Sequence, residues 1–161
     1  MKPRHFLTLL DLSAGELRQV LARAMELKMS VAEVVTIASL IEREAKAEEE
    51  RPFISAVFYN RLRLGMPLQS DPTVLYSLSR FSGKLTKANL QAPSPYNTYL
   101  HRGLPPGPIA NPGRASIRAA LYPVSSRYLY FVSKNDGTHA FSNTLREHDA
   151  MVRRYQIRRE G

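Results

Sequence analysis

Between Thr36 and Phe53 the sequence reads TIASLIEREAKAEEERPF, which sets five carboxylates, Glu42, Glu44, Glu48, Glu49 and Glu50, within nine residues. Glu42 and Glu44 follow directly on an apolar run. A carboxyl set in an apolar wall is hard to ionise, so its pKa rises and it stays protonated near neutral pH. In that state it can protonate the leaving oxygen of a glycosidic bond. A charge run can also be no more than a solvated helix face. The residues alone leave both readings standing.

Two further segments combine glycine and proline with amide, hydroxyl and carboxylate side chains: NRLRLGMPLQSDPT at 60–73 and PYNTYLHRGLPPGPIANPG at 95–113. A buried apolar core has no use for such groups. A sugar-binding cleft does, because sugar hydroxyls need paired donors and acceptors and sugar faces stack on aromatic rings. The candidates for contact are Asn60, Gln69, Asp71, Tyr96, Asn97 and Thr98, with Tyr59, Tyr96 and Tyr99 available for stacking. Arg61 could reach a sugar or the glutamate, whereas Arg63 reads as solvated. Each also has a structural reading. Asp71 stands at a helix N-cap position, with Pro72 at the first helical position. Tyr96, Asn97 and Thr98 could be a loop held by Asx-type hydrogen bonds, with Asn97 expected to line the cleft. A single histidine in a strand, His139, is more often structural than catalytic.

The elements that must position these groups are legible. LSAGELRQVLARAMELK is an amphipathic helix with Ser13 and Glu16 at capping-box spacing, and Leu17, Val20, Leu21, Ala24 and Leu27 on one face. Ser30 and Glu33 repeat the box before VVTIASLIEREA, whose apolar side is so broad (Val34, Val35, Ile37, Ala38, Leu40, Ile41) that the helix must be buried. Glu42 and Glu44 therefore close a buried segment. A third helix is predicted from about Glu49 to Leu64, with Ile54, Val57, Phe58 and Leu62 facing inward. Glu48, Glu49 and Glu50 read as its solvated start, where negative charge is favoured. Residues 83–113 read mainly as loop. SIRAAL is a short helix, YLYFVS a strand, NDG a hairpin turn and THAFS the return strand, and a last helix starts at about Asn143. The sum is an α+β fold, with helices around a buried helix and a small antiparallel sheet.

Bulk properties narrow the function. A chain of 161 residues can form one domain with a real core. It has no cysteine and four scattered histidines, so neither a disulfide framework, a metal site nor a cofactor is expected. A net charge of +9 suits a polyanionic partner such as nucleic acid, an anionic membrane face or an acidic cell-wall polymer. The end, RRYQIRR at 153–159, concentrates that charge. No recognised nucleic-acid-binding motif accompanies it, so nucleic acid is not expected as a partner. No apolar run approaches the roughly 20 residues of a membrane span, and FLTLL is too short for a signal peptide, so a soluble chain is expected.

Residues 30 to about 155 resemble the catalytic domain of the MltG (YceG-like) endolytic murein transglycosylases. The resemblance is carried by VVTIASLIEREA, ERPFISAVFYNRLRLGMPLQSDPTVLY, YNTYLHRGLPPGPIANPG, SIRAAL and YLYFVSKNDGTHAFSNTLREH, in family order. It implies a lysozyme-like domain that cleaves the MurNAc–GlcNAc bond of nascent peptidoglycan without water, terminating glycan strands with 1,6-anhydro-MurNAc ends. One glutamate would act as acid and then base, and the family position falls on Glu44. Broader lysozyme-like transglycosylases carry Ser or Thr after the acid, where this chain has Ala45. Glu42, on another helix face, is the fallback and is grouped with the substrate-binding residues. Gln69 and Asp71 match the family's LQSDPT turn, Tyr96, Asn97 and Thr98 its YNTY loop, and His139 and Phe141 its hairpin. The implied partners are peptidoglycan glycan strands and peptidoglycan synthases, with the domain a monomer on the outer face of the bacterial inner membrane.

Residues 1–28, MKPRHFLTLLDLSAGELRQVLARAMELK, instead resemble the opening of ornithine carbamoyltransferase, whose remaining motifs are absent. The expected division is a foreign-looking helical segment at 1–28 and the transglycosylase domain at 29–161. A fusion, a mis-joined gene or an engineered chain would produce it. The anchor and LysM-like region of family members are not seen, so a peptidoglycan-binding remnant without activity is the alternative reading.

Overall fold

The computed structural model describes residues 12–78, 83 and 85–157. The start of the N-terminal segment and the final arginines of the basic end lie outside them. Helix α1 (Ala14–Glu26) and helix α2 (Val31–Glu44) each begin with the predicted capping box. Ser13 and Ser30 accept from the backbone N–H three residues on, while Glu16 and Glu33 accept the cap N–H groups at 2.9 and 2.8 Å. Two otherwise unpaired donors are satisfied at each helix start.

Helix α2 is the centre of the molecule. Val34, Ile37, Ala38, Leu40 and Ile41 are sealed from solvent, and so are Thr36 and Ser39. The two hydroxyls are satisfied inside the helix, Thr36 donating to Ala32 O at 2.8 Å and Ser39 to Thr36 O at 2.7 Å. Ser39 Oγ also accepts the Ile109 N–H at 3.0 Å, which stitches the proline-rich loop to the helix. Around α2 pack α3 (Arg51–Arg63), with Ile54, Val57 and Phe58 buried, and α6 (Arg114–Leu121), with Ile117, Ala119, Ala120 and Leu121 inward. Helix α1 adds Val20 and Ala24 to the same core, while Leu21 and Met25 remain exposed. Short helices α4 (Asp71–Ser77) and α5 (Lys87–Leu90) lie along the middle of the chain, the latter inside the stretch read as loop.

Strands β1 (Tyr130–Ser133) and β2 (His139–Ser142) pair antiparallel, with Phe131 opposite Phe141 and Ser133 opposite His139. Their turn uses the left-handed region at Asn135 (φ 65°) and Gly137 (φ 92°), as an Asn-Asp-Gly turn permits. Helix α7 (Leu145–Val152) widens into a π-helical turn over Arg153–Ile157, where the described chain ends. The architecture is α+β, mostly helical with a two-stranded antiparallel sheet. Among the described residues no helix is long and apolar enough to cross a membrane.

Two local expectations need correction. Glu50 is not a solvated helix start: its side chain is only 12% exposed and pairs with His139. The N-cap position of helix α4 is held by Ser70, without a side-chain capping bond, and Asp71 occupies the first helical position. Because α2 is sealed, truncation there should leave an unrelieved cavity. Ile37→Ala is expected to lower unfolding free energy by about 2–5 kcal/mol in urea titrations. Leu21→Ala on the exposed face of α1 should change it by less than about 1 kcal/mol.

Candidate active site

The end of α2, the turn before α4, the segment at Tyr99, the hairpin and α7 enclose a cleft of about 440 Å³. Its polar lining includes Glu44, Arg61, Gln69, Asp71, Tyr99 and His139. Glu44 arrives there because it is the last residue of a helix whose preceding turns are buried. Burial pushes its carboxyl from the ordinary 4.5 up to about 7. A hydrogen bond from Ser70 Oγ to Glu44 Oε1, at 2.6 Å, works against that rise, and the nearby Asp71 charge adds to it. The negative end of the α2 dipole disfavours a carboxylate at this position as well.

Ser70 explains itself by what it does not do. A serine at a helix N-cap normally turns its oxygen to the helix's own N–H groups. Here no such bond is made, and the hydroxyl goes to Glu44 instead. Thr98 makes this possible. Its Oγ1 accepts the Ser70 N–H at 3.0 Å and its carbonyl accepts the Gln69 N–H at 3.1 Å. Thr73 Oγ1 donates to Ser70 O at 2.7 Å, so Thr98 must be the donor in the 2.8 Å Thr73–Thr98 contact. Gln69 is held in the left-handed region (φ 52°), a conformation that costs a non-glycine residue roughly 1–2 kcal/mol.

Arg61 braces the other side. It is only 6% exposed, on the inward face of α3. Its Nε donates to Leu129 O at 2.6 Å, and Nη1 lies 3.0–3.1 Å from Pro67 O, Leu68 O and Gln69 Oε1. One guanidinium thus joins α3, the turn before α4 and the approach to β1, while lying 5.0 Å from the Tyr130 ring centre. Burial lowers its pKa, yet a guanidinium starts so high that it remains charged. Tyr99 donates its hydroxyl to Asp71 Oδ1 at 2.5 Å, and burial drives its own ionisation far above the usual range. His148 stacks on Tyr130 at 5.1 Å, and burial pulls its pKa down.

The structure therefore brings Glu44, Gln69 and Asp71 together, with Arg61 and Tyr99 beside them. It places the other sequence candidates elsewhere. Asn97 is fully buried, and its amide is saturated by Leu90 O, Ala92 O and the Tyr99 N–H, so it builds the loop and does not line the cleft. Thr98 is buried in the network that shapes the turn. Tyr96 packs on Tyr76 with ring centres 4.8 Å apart. Asn60 donates to Ser126 O and Tyr128 O, at 3.0 and 2.9 Å, fixing the chain before β1. Glu42 accepts from Gly113 N–H at 3.1 Å and Ser116 Oγ at 2.6 Å, at the start of α6. Tyr59 is likewise structural, donating to Ala120 O at 2.7 Å. Sequence reasoning passed over Ser70, read Glu50 as solvated charge, and gave Arg61 a reach to a sugar or the glutamate, where it binds backbone carbonyls and Gln69. Arg61 carried a signal, since it falls on the apolar stripe of Ile54, Val57 and Phe58. No group of three His, Asp or Glu suited to a metal occurs among the described residues.

An α+β domain built on a buried helix that delivers one hard-to-ionise carboxyl into a polar cleft is the class that fold and site define. The profile of the YceG-like family matches residues 6–154, and the chain belongs to that family. It is 48% identical over 128 residues to the endolytic murein transglycosylase of Bacillus subtilis (strain 168), a match covering 80% of this chain and 36% of that protein. It is 37% identical over 130 residues to the endolytic murein transglycosylase of Streptococcus pneumoniae serotype 2 (strain D39 / NCTC 7466), covering 77% of this chain and 24% of that one. The crystal structure of a yceG-like protein from Listeria monocytogenes superposes with a TM-score of 0.76 at 47% identity, covering 83% of this chain and 43% of that chain. The chain thus spans well under half the length of these relatives.

The Ser70 bond stabilises the ionised form of Glu44. Ser70→Ala should therefore move the Glu44 midpoint still further above 7, read by ¹³C NMR titration of the side-chain carboxyl. An unchanged midpoint would show that the hydroxyl has no bearing on the acid.

Proposed function

We propose that this chain is the catalytic domain of an endolytic lytic transglycosylase, with a lysozyme-like fold. It cleaves the MurNAc–GlcNAc bond of nascent peptidoglycan and leaves 1,6-anhydro-MurNAc ends. The observation that supports this most is Glu44: one carboxyl, pushed up to about 7, facing a polar cleft large enough for sugar rings.

The chemistry follows from the protonation state. With its carboxyl pushed up to about 7, Glu44 is available near neutral pH both as acid and as base, the condition under which one group can give and take a proton. The neutral carboxyl donates its proton to the glycosidic oxygen as the C1–O bond breaks. The resulting carboxylate then accepts the proton of the muramoyl C6 hydroxyl, whose oxygen closes onto C1. Proton and bonds balance without water, and Glu44 returns to its starting state. The Ser70 hydroxyl steadies the carboxylate between the two steps. Asp71 is occupied by Tyr99, which suits a binding and orienting role rather than that of a second catalytic carboxylate. Gln69 and Asp71 are the sugar contacts among the sequence candidates that line the cleft.

Helix α1 works as part of the domain in this reading, whatever the origin of residues 1–28, because Val20 and Ala24 sit in the common core. In a cell the domain would act on the outer face of the membrane, on glycan strands and beside the synthases that make them.

Digestion of purified sacculi followed by mass spectrometry tests the reaction. Anhydro-muramoyl products are expected, whereas reducing ends would show hydrolysis, and glycan retention without products would indicate a binding module. Glu44→Gln should abolish cleavage and leave the fold intact.

The raised pKa also predicts a stability effect with a definite sign. The fold favours the neutral carboxyl, so wild type loses stability as pH rises from 4.5 through about 7. Glu44→Gln, which stays neutral, should match wild type below pH 4.5 and exceed it at pH 8 in urea titrations.

A further inference from the structure

Glu50 and His139 lie 89 residues apart in sequence, and the Glu44 mechanism uses neither. Glu50 ends the short turn Glu48–Glu50 before α3, and His139 is the first residue of β2. Their contact is double. Glu50 Oε1 accepts the His139 backbone N–H at 2.9 Å, and Glu50 Oε2 lies 2.7 Å from the ring Nδ1. The side chains are 12% and 10% exposed. Against a carboxylate oxygen, Nδ1 must carry the hydrogen. The ring is further fixed edge-on to Phe131 at 5.4 Å, and it lies 6.4 Å from Phe141.

That leaves Nε2. It has no hydrogen-bond partner among the described residues. It is also not among the sealed, partnerless side-chain atoms, which are Ser55 Oγ, Ser126 Oγ and His148 Nδ1. His139 lines the cleft that holds Glu44. Nε2 is thus an unsealed nitrogen on a residue that lines the cleft. A near-buried carboxylate–histidine pair is a poor device for stability alone, since well-packed apolar groups commonly do as well. Aromatic neighbours on both sides would accept a phenylalanine.

We propose that His139 is a substrate-contacting residue, whose Nε2 hydrogen-bonds a sugar hydroxyl of the glycan strand lying across Glu44. Glu50 is its positioning residue, fixing both the ring and the tautomer. With Nδ1–H committed to Glu50, Nε2 accepts a hydrogen bond when the ring is neutral and donates one when it is charged. A hydroxyl can answer either state, because it is both donor and acceptor. An anionic group could not, and Glu44 and Asp71 in the same cleft would oppose it.

This inference rests on the glycan reading of the cleft, and the two can fail separately. The test measures binding of uncleaved glycan strands from purified peptidoglycan in a Glu44→Gln background, and kcat and KM on the same strands with Glu44 intact. His139→Phe keeps the ring volume and removes Nε2. It should weaken glycan binding about tenfold and raise KM to match, with kcat nearly unchanged and Tm within a few degrees of wild type. His139→Gln should recover part of the loss through its amide. Glu50→Gln, which leaves the imidazole in place, should show a smaller rise in KM and decides the matter if His139→Phe does not fold. Wild-type binding and KM in the folded variants would overturn the contact while leaving the reaction standing. His139-dependent glycan binding by a wild-type chain that yields no anhydro products would support the contact and overturn the reaction.

Discussion

A helix sealed from water through its middle turns ends on a carboxyl group, and the architecture around it answers to that constraint. Ionising Glu44 means placing charge beside a dry core and at the negative end of a helix. The fold neither neutralises it with a salt bridge nor opens it fully to solvent. One hydroxyl, from Ser70, favours the ionised form, while burial and the Asp71 charge act the other way. Among the described residues no cation pairs with Glu44, although Arg61 lines the same cleft. That guanidinium is directed instead at backbone carbonyls and Gln69. The separation matters, because a close ion pair would pull the carboxyl down and leave it ionised near pH 7.

The polar residues of the two loop segments divide by depth. The deep ones are builders: Asn97 satisfies loop backbone groups, and Thr98 and Thr73 satisfy each other and hold Gln69 and Ser70 in a shape the chain would not adopt unaided. The shallow ones, Gln69, Asp71 and Tyr99, face the cleft. Buried amides and hydroxyls need every partner met, so a saturated side chain has nothing left to offer a ligand. The two glutamates of the E-x-E pair divide the same way. Glu42 gives its carboxylate to the start of α6, and Glu44 keeps its own for the cleft.

Local features were readable in the sequence because their causes are local. The capping boxes at Ser13 and Ser30, the burial of α2 and the Asn-Asp-Gly hairpin follow from spacing and residue type within a few positions. Glu44's place at the edge of the core followed from the apolar run before it. What the sequence hid depends on partners far along the chain. Nothing near Glu50 announces a histidine 89 residues later, so it looked like solvated charge. Asn97 looked like a ligand contact because the type of a polar side chain does not tell which way it points. Arg61 read as a side chain reaching for a sugar or the glutamate, because nothing local shows that it is held by carbonyls of the turn before α4 and the approach to β1.

The cleft draws its walls from the end of α2, the turn before α4, Tyr99 and a hairpin more than eighty residues beyond Glu44. Acidity near pH 7 is therefore not a property of Glu44 as a residue. In a nascent or partly unfolded chain the same side chain is an ordinary exposed carboxylate, ionised and unable to protonate an ether oxygen. The shift in its pKa comes with burial and is lost when that burial is lost. The raised pKa is thus made by the fold and not by the residue type.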